Sequence, residues 1–438
     1  MAQETNARLE DIISLAKRRG FIFQGSEIYG GLAGTWDYGH FGAVLKNNIK
    51  ALWWKKFVTD REDMYGVDAA ILMNQKVWQT TGHVAGFSDP LSECKKCKRR
   101  FRTDKLDDPK KCPDCGGELG EARQFNMMLK TNVGVLDDEN SISYLRPETA
   151  QGMFVNYKNI VDSFHPKLPF GMAQIGKAFR NEIAPRDFLF RQREFEQMEI
   201  EYLVHPENWQ EAFAHFQAEM REWMEEIGLN MNHVHEHEIA DDERAFYSKR
   251  TIDFEFDYPF GQNELYGLAY RTDYDLSRHA EASNVKLEYF DEETKERFTP
   301  HCIEPSFGLD RTILAILCDA YTEDELGGEK RIYLKLAPKI APVKIAVFPL
   351  LKNKPELVAK AREVYMTLKR TFGAVLFDDN GNVGKRYRRQ DEIGTPYCVT
   401  IDFETIEKDN MVTVRDRDTG AQERVAITEL TEYFAKKF

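Results

Sequence analysis

This 438-residue chain has no stretch of about 18 consecutive apolar residues, the length a membrane-crossing helix needs. Its opening, MAQETNARLE, has neither the charged start nor the apolar core of a secretory signal. A membrane span and secretion are therefore not expected, and a cytoplasmic location is. Positive charge is also in short supply: 60 lysines and arginines face 73 aspartates and glutamates, for a net charge of −13. Proteins that coat nucleic acid nonspecifically must neutralise many phosphates, so that class is excluded. Local basic runs remain, at Lys95, Lys96, Lys98, Arg99 and Arg100 and at Lys385, Arg386, Arg388 and Arg389. Either suits an RNA contact or an ordinary solvated face. The glycines match neither a P-loop nor a dinucleotide-binding spacing. The cysteines, seven and so odd in number, do not suggest a disulfide framework.

A hydrophobic content of 42% and a charged content of 30% are those of a globular protein, and the length allows two or three cores. Four of the seven cysteines form two Cys-x-x-Cys pairs, Cys94/Cys97 and Cys112/Cys115, with 14 residues between the pairs. That spacing, with Gly116-Gly117 after the second pair, is the pattern of a four-thiolate zinc ribbon. Four thiolates leave no open coordination position, so the zinc is expected to be structural and to fold a small insertion at 90–120.

Along the chain, residues 11–19 predict a short helix, and Gly25 to Gly42 form a glycine-rich segment. Phe41, Val44, Leu45, Ile49, Leu52, Trp53 and Phe57 make one apolar helical stripe, followed by a buried strand over Val67 to Met73. Trp209, Phe213, Phe216, Met220, Trp223, Met224 and Ile227 repeat at helical spacing up to Gly228, within a helical insertion at 205–245. The segment NHVHEHE inside it reads as acidic surface and carries no metal assignment. Thr251 to Tyr258 alternates as a strand. Ala337 to Pro342 reads as a linker, after which VKIAVFPLL, PELVAKAREVYMTLKR, AVLFDD and PYCVTID alternate as strand, helix, strand, strand, an α/β pattern with a parallel sheet.

The densest chemistry lies in Gly171 to Tyr202, GMAQIGKAFRNEIAPRDFLFRQREFEQMEIEY. Strand parity puts Phe195, Gln197 and Glu199 on one face and aligns Arg180 with Glu182, and Pro185 and Asp187 suit the intervening turn. Such a hairpin offers a guanidinium for phosphate oxygens, a ring for stacking and carboxylates for an amine. A solvated edge hairpin would use the same residues.

Phe179-Arg180-x-Glu182 with Arg191-x-x-x-Phe195 resembles motif 2 of class II aminoacyl-tRNA synthetases. GSEIYGGLAGTWDYG, TGHVAGFSDP, LRPETAQG and EPSFGLDR are together similar to the dimeric type of glycyl-tRNA synthetase, and the resemblance spans nearly the whole chain. It implies an α+β fold: a class II antiparallel sheet with helices over 1–340, carrying the zinc-ribbon insertion, and an α/β anticodon-binding domain over 341–438. The helix-then-strand order ending at Met73 corresponds to motif 1, the dimer element of the family, although its usual proline is absent at Asn74 and Gln75. His301 to Arg311 resembles motif 3.

By the same resemblance, ATP with Mg²⁺ would meet Arg180, Asn181, Glu182, Phe190, Arg191, Arg193, Phe195, Glu264, Leu265, Gly308 and Arg311. Arg180 would serve the α-phosphate and Arg311 the γ-phosphate, with Glu182 the third residue placed in the catalytic set. Glycine would meet Arg102, Glu148, Phe195, Glu199, Glu304 and Ser306. Asp273 and Asp275 are alternatives for ordering the site or its magnesium. Lys385 to Arg389 would lie on the anticodon side. The implied activity is ATP-dependent ligation of glycine to tRNA(Gly) through a glycyl adenylate, by a homodimer with no editing domain. Two alternatives are a non-catalytic nucleic-acid-binding subunit that kept a synthetase-like fold, and a class II enzyme for serine, proline or threonine.

Overall fold

The structure, a computed structural model, describes residues 2–135, 138–245 and 247–438. Its largest element is a seven-stranded sheet built from β1 (Met64–Gly66), β2 (Phe170–Phe179), β3 (Glu194–Val204), β4 (Val234–Glu238), β5 (Arg250–Tyr258), β6 (Gly261–Thr272) and β7 (His301–Gly308). The strand order is β4-β5-β6-β7-β3-β2-β1, and every pairing is antiparallel except β1 on β2. In β3 the period of two sends Met198, Ile200 and Tyr202 to one face and Phe195, Gln197, Glu199 and Glu201 to the other. The first face joins a core built with helices α1 (Ala2–Arg18), α2 (His40–Trp54), α4 (Trp209–Glu226) and α6 (Leu309–Ala320). Phe307 of β7 sits at its centre, fully buried, with ring centroids 5.8, 5.3 and 4.9 Å from Trp53, Phe57 and Tyr266.

The opposite face carries polar side chains in the middle and an apolar cluster at one end. There Met153 and Phe154 of α3 (Ala150–Phe154), Met172, Leu203 and Leu276 of α5 (Tyr274–Ser283) pack together. The apolar end closes the face, so its polar middle becomes the floor of a depression.

Four expectations change. No strand runs over Val67–Met73; the strand lies just before it as β1, and beyond Val67 the chain bends around the fully buried Arg146, which donates to Ala69 O (2.7 Å) and Lys177 O (2.6 Å). Segment 205–245 is not purely helical, because after α4 it supplies β4, the edge strand of the central sheet. The linker 337–342 is not a free tether: Ile340 and Ala341 are fully buried in the main core, and Asn48 Nδ2 donates to both of their carbonyls at 3.1 and 3.2 Å. The N-terminal helix runs over Ala2–Arg18, longer than 11–19.

After the linker, β8 (Ile345–Pro349), β9 (Val375–Phe377) and β10 (Tyr397–Ile401) form a parallel sheet in the order β9-β8-β10. Two strands not foreseen, β11 (Met411–Asp416) and β12 (Gln422–Ala426), extend it antiparallel beyond β10. Helix α7 (Pro355–Phe372) packs on this sheet, and α8 (Val383–Glu392) carries the basic run. Arg386 in that run is internal: it is buried and donates to Asp379 O (3.0 Å) and Gly381 O (2.7 Å), which ties the loop before α8. Arg388 pairs with Glu329 at 3.0 Å and Arg389 with Asp378 at 2.7 Å. The run is therefore not a uniform basic face.

Truncating Phe307 to alanine removes the ring that three aromatic neighbours enclose, and is expected to cost about 3–5 kcal/mol. Urea unfolding of Phe307→Ala beside the parent protein measures that loss.

Candidate functional site

The polar middle of the sheet floors a cavity of about 920 Å³. One end is rich in guanidinium groups. Arg180 leaves the end of β2 and donates to Pro147 O (3.2 Å), and its guanidinium lies 5.2 Å from the centre of the Phe195 ring and 5.4 Å from that of Phe87. Arg191 pairs with the buried Glu182 at 3.2 Å. Across the cavity, Arg311 at the start of α6 pairs with Glu264 Oε2 (3.0 Å) and lies 4.4 Å from the centre of the Phe190 ring. Leu265 lines the wall beside Glu264. Arg311 first, with burial opposing it, holds Glu264 below the usual carboxylate range. Asp253 faces the same space; burial first, then the charges of Glu264 and Glu255, push it up to about 7. At Gly308 neither the backbone (φ −75°) nor the protein packing requires glycine, since an added Cβ would meet its nearest neighbour, Arg311, at 3.5 Å. The free space at Gly308 is on the cavity side.

The other end is acidic. Glu199 of β3 lies opposite Ser306 of β7 in register and accepts from Ser306 Oγ (2.8 Å), Gln197 Nε2 (2.7 Å), Thr149 N (3.0 Å) and Thr149 Oγ1. Burial and then the Glu148 charge raise its pKa, against these donors. Glu148, just before α3, lies 3.2 Å from His83 Nε2 and accepts from Gln151 Nε2 (3.0 Å). Burial acts to raise Glu148, but His83, Arg271 and Gln151 outweigh it and hold it well below the usual range. Arg271 of β6, 1% exposed, donates twice to Asp275 (2.8 and 2.9 Å) and once to Glu304 (2.7 Å). The Tyr247 ring centre lies 3.8 Å from its guanidinium. Burial, against the pull of Arg271, pushes Glu304 up to about 8. This end holds more carboxylates than cations, an arrangement suited to a small ammonium group.

Of the residues expected at the site, Arg102, Glu148, Arg180, Glu182, Phe190, Arg191, Phe195, Glu199, Glu264, Leu265, Glu304, Ser306, Gly308 and Arg311 all line this one cavity. Arg102 reaches it from the ribbon, paired with Asp89 (2.8 Å) and Asp104 (2.6 Å). Asn181 and Arg193 are not among the lining residues. Arg193 instead donates to Glu182 O (3.1 Å) and Ala33 O (2.8 Å), and its amide bonds Gly34 O (2.8 Å). Asn181 N bonds Met127 O (2.8 Å). Both act as struts that hold the hairpin loop against its neighbours. Between the two aspartates left as alternatives, Asp275 orders the floor through Arg271, while Asp273 accepts from Ser277 Oγ (2.6 Å) at the start of α5. His83, Gln151, Tyr247, Asp253 and Arg271 were not assigned to the site from the sequence. Arg271 stands two residues before Asp273 in the sequence, and nothing in its neighbours along the chain names Glu304 as its partner.

Beyond the cavity, Cys94, Cys97, Cys112 and Cys115 bring their sulfurs within 4.8 Å of one another, with Cys94–Cys115 and Cys97–Cys112 separations of 3.6 and 3.7 Å. A tetrahedron with zinc–sulfur bonds of about 2.3 Å has edges of about 3.8 Å, so this donor set is compatible with zinc. Strand Arg100–Arg102, between the pairs, bonds Ser88–Glu93 at the cavity rim.

Residues 131–320 match a family described as the tRNA synthetase class II core domain (G, H, P, S and T), and residues 344–437 match an anticodon binding domain. The chain is 48% identical to a glycine–tRNA ligase of Caldanaerobacter subterraneus subsp. tengcongensis and 50% identical to one of Clostridium acetobutylicum, each over 98% of both chains. It is 51% identical to a glycine–tRNA ligase of Borreliella burgdorferi over 97% of this chain and 96% of that one.

Removing the guanidinium in Arg271→Met strands Asp275 and Glu304 in a buried place, which is expected to cost about 3–5 kcal/mol. Glu304, already pushed up by burial, loses the cation that pulls it down and takes up a proton as pH falls. The deficit should therefore be largest near pH 8 and shrink toward pH 5 in denaturant titrations at both values.

Proposed function

The chain belongs to the glycine–tRNA ligase family of class II synthetases, and from that premise we propose how its cavity works. The protein activates glycine with ATP to glycyl adenylate and transfers the glycyl group to tRNA. The observation that carries the assignment of residues is the convergence of Arg180, Phe195, Arg311, Glu148, Glu199 and Glu304, from five separate segments, on one cavity.

The glycine carboxylate attacks the α-phosphorus and pyrophosphate leaves, so the protein's task is to position reactants and neutralise developing charge. Adenine stacks on Phe195, and Arg180, already held above that ring, meets the α-phosphate. Arg311 leaves Glu264 for the γ-phosphate at the start of α6, where the helix dipole adds to its charge. Magnesium bound with the triphosphate would supply charge neutralisation at its oxygens. Glu182, Phe190, Arg191, Leu265 and Gly308 complete the ATP side. Glu148, Glu199, Glu304 and Ser306 receive the ammonium, and Arg102 reaches in from the ribbon.

Rejection of larger amino acids falls to the rigidity of the floor. Discrimination by one methylene in an apolar pocket is about 1–3 kcal/mol. Glu199 fixed by four donors, and Glu304 fixed by Arg271, leave less room for adjustment than an apolar pocket would. Cys94, Cys97, Cys112 and Cys115 would hold a structural zinc that would fold the ribbon, and the C-terminal unit meets the anticodon of tRNA(Gly). The reading includes a cytoplasmic homodimer. No described helix is long and apolar enough to cross a membrane, and Ile28 and Tyr29, 88% and 86% exposed, offer apolar surface that a second copy would cover. The non-catalytic alternative is set aside, because the relatives are ligases and both phosphate-site arginines face the cavity.

Pyrophosphate exchange against a panel of amino acids tests the reading: glycine alone should support it, and exchange with alanine or serine at the glycine rate would remove it. Arg180→Ala is expected to lower exchange about 10²–10³-fold, the size of effect seen when one preorganised charge stabiliser is removed. Metal analysis of freshly purified, reduced protein should give about one zinc per chain, falling in Cys112→Ser.

A further inference from the structure

Behind the acidic floor lies a carboxyl group that the reaction does not use. Glu201 follows Glu199 by two residues on β3, faces the same side of the sheet, and is completely shut off from solvent. One of its oxygens accepts from Cys302 Sγ (3.0 Å), and the other has no hydrogen-bond partner among the described residues.

Counting donors shows how unevenly the floor is compensated. Asp275 takes two bonds from Arg271 and one from Gln151 (2.7 Å), Glu148 faces His83, and Glu199 has four donors. Glu304 has a single bond to Arg271, whose charge Asp275 already balances. Among the described residues Glu201 has a thiol and no cation within hydrogen-bonding reach. Glu304 and Glu201 are thus the two floor carboxyl groups with neither a cation of their own nor a set of several donors, and a buried carboxyl group so placed takes up a proton rather than stay ionised. Their access differs: Glu201 is sealed in, while Glu304 lines the cavity.

Resting on the reading of the cavity as the glycine-activating site, we propose that Glu304 carries a proton in the empty site and releases it to solvent when the glycine ammonium arrives. Glycine then binds in exchange for a proton, while Glu201 stays a neutral acid behind it. The groups facing the pair are Arg271 of β6, Cys302 of β7, Glu199 of β3, Glu148 before α3, Asp275 of α5 and the Tyr247 phenol. Burial, opposed by Arg271 and reinforced by Glu199, Glu148 and Asp275, pushes Glu304 up to about 8, and burial with the Glu304 charge raises Glu201 well above the carboxylate range. The site is therefore protonated below about pH 8, where proton and ammonium compete, and the competition fades as pH rises through that value.

Calorimetric titration of glycine into the whole protein, in two buffers of different ionisation enthalpy at pH 7, counts the protons released. Close to one per glycine is expected. In pyrophosphate exchange the KM for glycine should fall by up to about tenfold per pH unit between pH 6 and 8. That slope should flatten in Glu304→Gln and persist in Glu201→Gln, whose side chain mimics the neutral acid. No proton release together with a flat KM in the parent protein overturns the proposal. Loss of the slope in Glu201→Gln overturns the assignment to Glu304. If no glycine-dependent exchange occurs at all, the functional reading fails instead.

Discussion

A single buried guanidinium governs the geometry of the substrate cavity. Arg271 binds Asp275 with two nitrogens and Glu304 with a third, and lies 3.9 Å from Glu148, so one side chain of β6 positions carboxylates from β7, α5 and the segment before α3. The ring centres of Tyr247 and Phe154 lie 3.8 and 5.5 Å from its guanidinium. A buried ion pair adds little net stability, but breaking one leaves uncompensated charge in a low dielectric. The consequence is a floor whose carboxyl groups have fixed places, and fixed places are what selection of the smallest amino acid requires.

The opposite end obeys the same logic with the sign reversed. Arg180, Arg191 and Arg311 are each held by a partner already in the protein: Pro147 O, Glu182 and Glu264. In the proposed binding mode a triphosphate would exchange one anionic partner for another at Arg311 and Arg191, and the cations need not be assembled from solvent. Asp310 locks the two motifs together from below. It accepts from the Glu196 amide (2.6 Å) and from Lys46 (3.1 Å) and Tyr38, tying the start of α6 to β3 and α2. The spacing of Arg180 and Arg311, the arginines proposed for phosphate, therefore depends on this buried contact at the cavity wall.

Strand parity made the cavity face of β3 legible from residues alone, because Phe195, Gln197 and Glu199 alternate with Met198 and Ile200. The two Cys-x-x-Cys pairs were equally legible, since four ligands sit close in sequence and close in space. What escaped was set by contacts between distant parts of the chain. Arg271 and Glu304 are 33 residues apart and meet only because β6 and β7 pair. Asn181 and Arg193 sit among true lining residues in the sequence, but they turn away to hold Ala33, Gly34 and Met127. Ala337 to Pro342 has the composition of a tether, yet Ile340 and Ala341 find a place in the core that no local pattern announces. Strands β11 and β12 were missed because they only extend a sheet whose parallel half carried the periodic signal.

The most direct measurement is a crystal structure with a non-hydrolysable glycyl adenylate analogue. The account predicts the ammonium within hydrogen-bonding distance of Glu148, Glu199 or Glu304, with the adenine against Phe195 and Arg180 on the phosphate analogue. An analogue bound with its amine turned away from these carboxylates, or seated elsewhere on the protein, would contradict it.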